Sequence, residues 1–168
     1  FRRLGHLQEQ PMVGGDLATL YPLRMVAGIL HDSVNIEEWL LADSHRFPYG
    51  KREVEILIKQ LGRGVVPKTT SCGRILDAVS AILGVCYERT YEGEPAMKLE
   101  STAIGGRDVL KLEPRLEGNV INTTSVVEEV FRQREKRSIA DLAYSAQSYI
   151  ARSLAQLAIE KAEQLNIK

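Results

Sequence analysis

Thiols and imidazoles are the side chains that most readily hold metals or attack carbonyl groups, and this sequence has two cysteines and three histidines. Cys72 and Cys86 form no Cys-x-x-Cys pair, and His6, His31 and His45 complete no metal-ligand spacing. Each cysteine reads as a buried thiol, with a disulfide disfavoured in a reducing compartment. The chain has no Gly-x-x-x-x-Gly-Lys-Ser/Thr loop to cradle phosphates, no nucleophile elbow and no zinc-ligand cluster. Composition and spacing alone therefore leave the function open, and Asp77, Gly73, Arg74 and the loop Tyr91-Glu92-Gly93 carry no more signal by themselves than other acids, arginines and glycines of the chain. A carboxylate can accept hydrogen bonds from two vicinal hydroxyls, and a glycine leaves room for a ligand to meet the backbone. Taken by themselves, these residues also have plainer readings. Asp77 is then an acid in the first turn of a helix, favoured there by roughly 0.3–1 kcal/mol. Gly93 is a turn glycine, and Arg74 an exposed helix arginine.

The bulk numbers narrow the classes. The 168 residues suffice for one domain, and 44% apolar with 26% charged residues is ordinary for a globular protein. Twenty-two basic and 22 acidic residues cancel. Nothing in that balance favours nucleic acid or an acidic membrane surface as a partner. No apolar run approaches the ~18 residues that span a bilayer, and no signal-peptide pattern opens the chain. The expectation is a soluble, cytoplasmic protein. The start at Phe1 and the end at Lys168 fit an excised fragment, a single helical subdomain over 1–168.

The elements that would position Asp77 and Gly93 are mostly helices. Val13-Gly14-Gly15-Asp16 predicts a turn, with Asp16 capping a helix from about Leu17 to Leu30 that tolerates Pro22 near its start. Asn35 with Glu38 suggests a cap for a short helix carrying Trp39 and Leu40. Phe47-Pro48-Tyr49-Gly50 is a turn, and Val54, Leu57, Ile58 and Leu61 predict a helix over 51–61. Ile75, Leu76, Val79, Ile82 and Leu83 give a wide apolar stripe over 73–83, a core-facing helix. The loop 91–95 leads to a short helix over 96–103. Val109–Leu112 and Asn119–Asn122 alternate and predict a small hairpin across the turn 113–118. Ser125 with Glu128, and Ser138 with Asp141, read as capping boxes for two more helices, the last reaching about Leu165. The fold class is mainly α, a helical subdomain with a minor β-hairpin.

The stretch Thr69-Thr70-Ser71-Cys72-Gly73-Arg74-Ile75-Leu76-Asp77-Ala78-Val79, continuing to Gly84, resembles the signature of the HypF-type hydrogenase-maturation carbamoyltransferases. In that family a Thr-Ser-Ser loop leads to Gly-Arg-Leu-Phe-Asp-Ala-Val and an apolar run ending in Leu-Gly. Thr90-Tyr91-Glu92-Gly93 matches a companion element of the family. Gly14-Gly15-Asp16 with Pro22 and Arg24, Ile121-Asn122-Thr123-Thr124 and the helix from Ser138 follow in family order, so the resemblance covers nearly the whole chain. It implies the middle, helical part of a C-terminal module similar to the threonylcarbamoyl transferases of transfer RNA, within the actin-like two-lobed ATPase group.

The resemblance also implies a function. In the family, carbamoyl phosphate and ATP give a carbamoyl-adenylate, whose carbamoyl group passes to the C-terminal cysteine of a partner maturation protein in nickel–iron hydrogenase assembly. Asp77 would meet the ribose hydroxyls, and Gly73 and Gly93 would approach the nucleotide. Gly14 and Gly15 are assigned structural roles. Lys98 stands where relatives often carry glutamate, with Glu100 two residues beyond, so an acceptor near the ribose is missing. The family's metal-binding histidines, phosphate loop and metal-ligand aspartate match nothing in the chain. A metal ion is expected in the parent protein, its ligands absent here, no catalytic residue is assigned, and the chain alone is expected to be inactive. Two other readings stay open. One is a stand-alone helical interaction module. The other is a transfer-RNA threonylcarbamoyl transferase, from which Tyr91-Glu92-Gly93-Glu94-Pro95 and Gly73-Arg74 differ. The terminal helix, apolar on one face, leaves self-association possible.

Overall fold

A computed structural model describes residues 2–167. Two helices form its centre. In α2 (Leu23–Leu30) every residue is buried, Arg24 included, and α5 (Cys72–Ile82) is buried from Ile75 through Ile82 apart from Leu76. A helix covered on all sides is apolar nearly all round, which the Leu-Arg-Met-Val-Ala-Gly-Ile-Leu of α2 satisfies except at Arg24, whose charge is paired with buried Glu53. The two pack against each other. Gly28 permits strand β2 (Gln10–Pro11) to cross α2 closely, because a Cβ there would lie 2.2 Å from the Pro11 carbonyl oxygen.

Around this pair lie α4 (Gly50–Gly62), α6 (Glu94–Thr102), α7 (Thr124–Gln133) and α8 (Ile139–Gln164). The short helices α1 (Leu17–Leu20) and α3 (Glu37–Ala42) complete the set. The 26-residue α8 is about 39 Å long. Its first half buries Leu142, Ala146, Tyr149 and Ile150, while in its second half Leu157 is buried, Leu154 and Ile159 are exposed, and so is Leu165 just past its end. The Tyr149 hydroxyl, fully buried, donates to the Asn122 carbonyl at 2.7 Å. Trp39 meets Phe131 edge-on at 5.3 Å between ring centres, joining α3 to α7.

Strand content is small. β1 (His6–Leu7) runs parallel to β5 (Val120–Ile121), which pairs antiparallel with β4 (Leu116–Glu117), and β2 pairs antiparallel with β3 (Lys68–Thr69). Gln8 and Gln10 tie the first strands to the start of α7. The Gln8 Oε1 accepts from the Thr123 and Thr124 backbone N–H groups, and Gln10 Nε2 donates to both threonine hydroxyls.

The mainly helical class holds, and several local expectations change. The helix anticipated over 17–30 is two helices. Pro22 drives Tyr21 to φ −117°, ψ 88°, out of the helical region, so α1 stops and α2 begins afresh. The hairpin is shorter and shifted, with its turn at Gly118-Asn119. Val109 and Leu110 make no strand, since their N–H groups donate instead to the Ser145 hydroxyl of α8. Neither Asp16 nor Asn35 caps through its side chain. Helix α7 starts before Ser125, whose N–H is capped by the Asn122 side chain at 3.0 Å. Ser138 does cap α8, accepting from the Asp141 N–H at 3.1 Å. Cys86 is buried, but Cys72 is only half-buried, and both are free thiols.

Candidate site at the α5–α6 junction

Helix α5 starts where β3 ends. The Thr69 hydroxyl accepts the Ser71 N–H at 3.1 Å, Ser71 adopts an extended backbone, and the helix begins at Cys72. Gly73 therefore sits in the first turn. A Cβ there would meet only the Ser71 Oγ at 3.5 Å, an ordinary contact, so the chain itself does not require a glycine at this position. Asp77 is the sixth residue of the helix and lies in its second turn, not the first as the sequence suggested. Its stabilisation by the helix end is correspondingly weaker, since that effect fades beyond the first turn.

The burial of Asp77 is complete, with 0% of the residue exposed. Arg74 Nη1 lies 2.9 Å from its Oδ2. The approach is not aligned as a hydrogen bond, and both carboxylate oxygens are without a donor. Burial raises the carboxyl pKa to about 6, against the opposing pull of the Arg74 and Arg89 charges. Arg74 also reaches the Thr19 carbonyl, while Arg89 meets the Thr19 hydroxyl, each at 3.4 Å. The Arg89 N–H donates to the Leu20 carbonyl at 2.8 Å. Two arginines thus bridge α5 and the following loop to α1. A buried carboxylate with no donors is costly unless something else offsets it.

After α5 the chain runs through Cys86 and Arg89 to Gly93, at φ +79°, the left-handed conformation that a side chain resists. Gly93 is the N-cap of α6, and Pro95 occupies the first helical turn, where its missing N–H does no harm. Glu94 is 4% exposed. Its Oε2 accepts from both the N–H and the hydroxyl of Thr90, and Lys98 Nζ stands 2.7 Å from its Oε1. These partners, the Lys98 hydrogen bond first, lower the Glu94 carboxyl to about 2. Burial raises the Cys86 thiol, which also feels the charges of Lys98, Glu94 and Asp77. The Cys86 thiol itself donates to the Glu88 carbonyl at 3.2 Å, and α5 and α6 pack directly on each other.

The sequence alone assigned no role to Glu94, Thr90, Arg89 or Thr19, although Thr90 stands in the element that matches the family. A signal existed in the Thr90…Glu94…Lys98 spacing, since positions four apart in or next to a helix face one another. Lys98, read as a missing acceptor, is the ion-pair partner of Glu94. Gly14 has a structural explanation, because a Cβ there would come within 1.9 Å of Arg24 Nη1. Arg24 in turn pairs with Glu53 at 2.7 Å, both buried. Grooves of about 530 and 540 Å³, one along α6 and α8 and the other beside Gly14 and α4, include neither Asp77 nor Gly93.

Comparison with known proteins gives this geometry a family. Residues 1–168 match the model of the carbamoyltransferase Kae1-like domain, second subdomain. The probable carbamoyltransferase HypF of Methanocaldococcus jannaschii is 40% identical over 161 residues, which is 93% of this chain and 20% of that protein. The carbamoyltransferase HypF of Rhodobacter capsulatus is 42% identical over 106 residues, 61% of this chain and 13% of that protein. The crystal structure of T. kodakarensis HypF superposes with a TM-score of 0.87 at 39% identity, over 99% of this chain and 23% of that one. A full-length HypF solved in a phosphate- and nucleotide-bound form shares the fold, with a TM-score of 0.83 at 24% identity over 99% of this chain and 26% of that one. The chain spans about a fifth of the length of the M. jannaschii relative. It belongs to the HypF carbamoyltransferase family, as the second subdomain of the Kae1-like domain.

Proposed function

We propose that this chain forms one wall of the nucleotide site of a HypF-type carbamoyltransferase, with Asp77 as the acceptor for ligand hydroxyls and Gly73 and Gly93 as points of close backbone approach. The observation that carries the reading is the Asp77 carboxylate, wholly buried with both oxygens lacking donors. Perturbed, underbonded carboxylates concentrate at functional sites. Two vicinal hydroxyls would supply the missing donors once the Arg74 side chain, 12% exposed and lying over Oδ2, turns aside. The left-handed Gly93 and the unobstructed Gly73 leave backbone approachable on both sides of the α5–α6 region.

Family membership extends the proposal to the whole protein. It would use carbamoyl phosphate and ATP, through a carbamoyl-adenylate, to carbamoylate the C-terminal cysteine of a partner protein in nickel–iron hydrogenase maturation. A metal ion would be held by residues outside this chain. The nucleotide-bound relative supports nucleotide use in the shared fold. The 168-residue chain alone would lack the preorganised donors that stabilise transferring groups. Turnover of carbamoyl phosphate and ATP by this chain in isolation would count against that division of labour.

One observation favours a second reading, in which Asp77 only holds Arg74 against the Thr19 carbonyl: the carboxylate has no accessible surface. Calorimetry of ATP binding to the full-length protein separates the two. Losing two hydrogen bonds to a charged group, at about 1.5–3 kcal/mol each, weakens binding by about a hundredfold or more. Asp77→Ala should therefore bind ATP that much less tightly. Unchanged affinity in a folded variant would leave Asp77 with the structural role alone.

A further inference from the structure

We propose that Glu94 is a positioning residue, whose carboxylate ties the Thr90–Gly93 loop to the first turn of α6 and presets the backbone at Gly93 for ligand approach. The inference rests on the nucleotide-site reading and adds to it a residue and a job that the sequence did not assign. Three donors converge on one buried carboxylate. Thr90, four residues back, contributes its N–H and its hydroxyl to Oε2, and Lys98, four residues on, approaches Oε1 at 2.7 Å. Between them the chain reverses at Gly93, and the turn is closed by the Glu94 N–H to the Tyr91 carbonyl at 3.3 Å and the Met97 N–H to the Gly93 carbonyl at 2.9 Å. Turns of this kind lose their conformation easily when only a glycine holds them, since glycine has the greatest conformational freedom to lose. The Glu94 side chain supplies the restraint from the helical side.

Charge completes the argument. A bare carboxylate one residue from Gly93 would repel a phosphate-bearing ligand, and the Lys98 ammonium against Oε1 cancels that charge locally. Glu94 thus shapes the loop with acceptor atoms while Lys98 keeps the approach electrically neutral. The two tasks separate on mutation. Glu94→Gln retains an acceptor oxygen for Thr90, Glu94→Ala removes it, and Lys98→Met leaves the carboxylate in place without its counter-charge.

The test uses the full-length protein and two readouts, amide hydrogen exchange across residues 90–94 and ATP affinity by calorimetry. Glu94→Ala should speed exchange in this loop and weaken ATP binding by about tenfold, the equivalent of 1.4 kcal/mol. Glu94→Gln should stay within about threefold of the native protein in affinity, and Lys98→Met should weaken binding in a manner that salt relieves. Native loop exchange in Glu94→Ala overturns the proposal, as does a Glu94→Gln variant that is impaired as much as Glu94→Ala. If Asp77→Ala weakens ATP binding while Glu94→Ala does not, the positioning role is wrong and the nucleotide site stands. If neither variant changes affinity, both readings fall together.

Discussion

Replacing Asp77 by asparagine keeps the shape of the side chain and deletes its charge, which turns the site's electrostatics into a stability measurement. The folded chain holds the Asp77 carboxyl near pH 6, against 3.8 for a free aspartate, because burial outweighs the attraction of Arg74 and Arg89. At about 1.4 kcal/mol per decade, ionised Asp77 destabilises the fold by about 3 kcal/mol relative to its neutral form. Local relaxation reduces that, so a gain of about 1–2 kcal/mol is expected for Asp77→Asn at pH 7.5. Between pH 3.8 and about 6 the folded chain keeps a proton that the unfolded chain has released. Native stability contributed by this group therefore falls as pH rises through that window and is flat above it. The asparagine variant has no such slope, so the difference between the two proteins should grow from near zero at pH 4 to its full value by pH 7. Urea unfolding of both proteins at pH 4.0, 5.0, 6.0 and 7.5, evaluated as the difference in extrapolated free energy, isolates Asp77 from every other titrating group. An asparagine variant less stable than the native chain at pH 7.5, by a difference that does not vary with pH, would refute the reasoning. It would mean that the Arg74 contact outweighs burial.

Three further outcomes are expected. Gly73→Ala should raise thermal stability by about 0.5–1 kcal/mol, since the added Cβ meets only an ordinary contact and alanine is the better helix former. The same variant should bind ATP more weakly, and unchanged affinity would remove Gly73 from the site. Arg24→Ala, which leaves Glu53 buried without its partner at 2.7 Å, should cost about 3–5 kcal/mol in chemical denaturation. Arg24→Met combined with Glu53→Leu should recover most of that loss, and a fully additive pair would show that the two charges are not coupled. Glu94→Gln should shift acid unfolding upward in pH. The carboxyl is held at about 2 in the folded chain against an ordinary 4.5, so its stabilisation is present above pH 4.5 and lost as pH falls toward 2. Circular dichroism between pH 2 and 5 checks this.

Part of the local chemistry was legible in the sequence, and the long-range chemistry was not. The Ser138–Asp141 cap involves residues three apart and was readable, and so were the apolar faces of α4 and α5. The break at Tyr21-Pro22 could have been read from the proline, which restricts the residue before it, but the apolar period continuing through it masked the break. Two-residue strands such as His6–Leu7 carry no period at all. Their pairing exists because α7 and α8 bring residue 120 beside residue 6. The same division holds at the candidate site. The residue types around Asp77 and Gly93 could be picked out. The burial of Asp77 and its unbonded oxygens come from the helices packed around α5, and Arg74 and Arg89 reach across to Thr19 of α1, none of which a spacing along the chain encodes. Lys98 shows the converse error. Taken singly it looked like a lost acceptor, whereas its partner was four residues away.

The parallel pairing of β1 with β5 has a consequence for how the molecule is made. Its first strand leaves the ribosome well before the partner that completes it, with roughly 110 residues of synthesis between them. At about 5–20 residues per second that interval is on the order of 5–20 s. For that time Leu7, and Gln8 and Gln10 with their unmatched amides, are without the α7 threonines that will later satisfy them. The helices α2 to α5 can form and associate meanwhile, so the nascent chain should pass through a helical core with residues 6–8 still unpaired. Gln10 and Pro11 can pair with β3 as soon as residues 68–69 are made, whereas residues 6–8 are fixed only when residues 120–124 arrive. A chaperone that recognises exposed extended segments would have its opportunity in that interval, and closure of the three-stranded sheet would be the event that ends it.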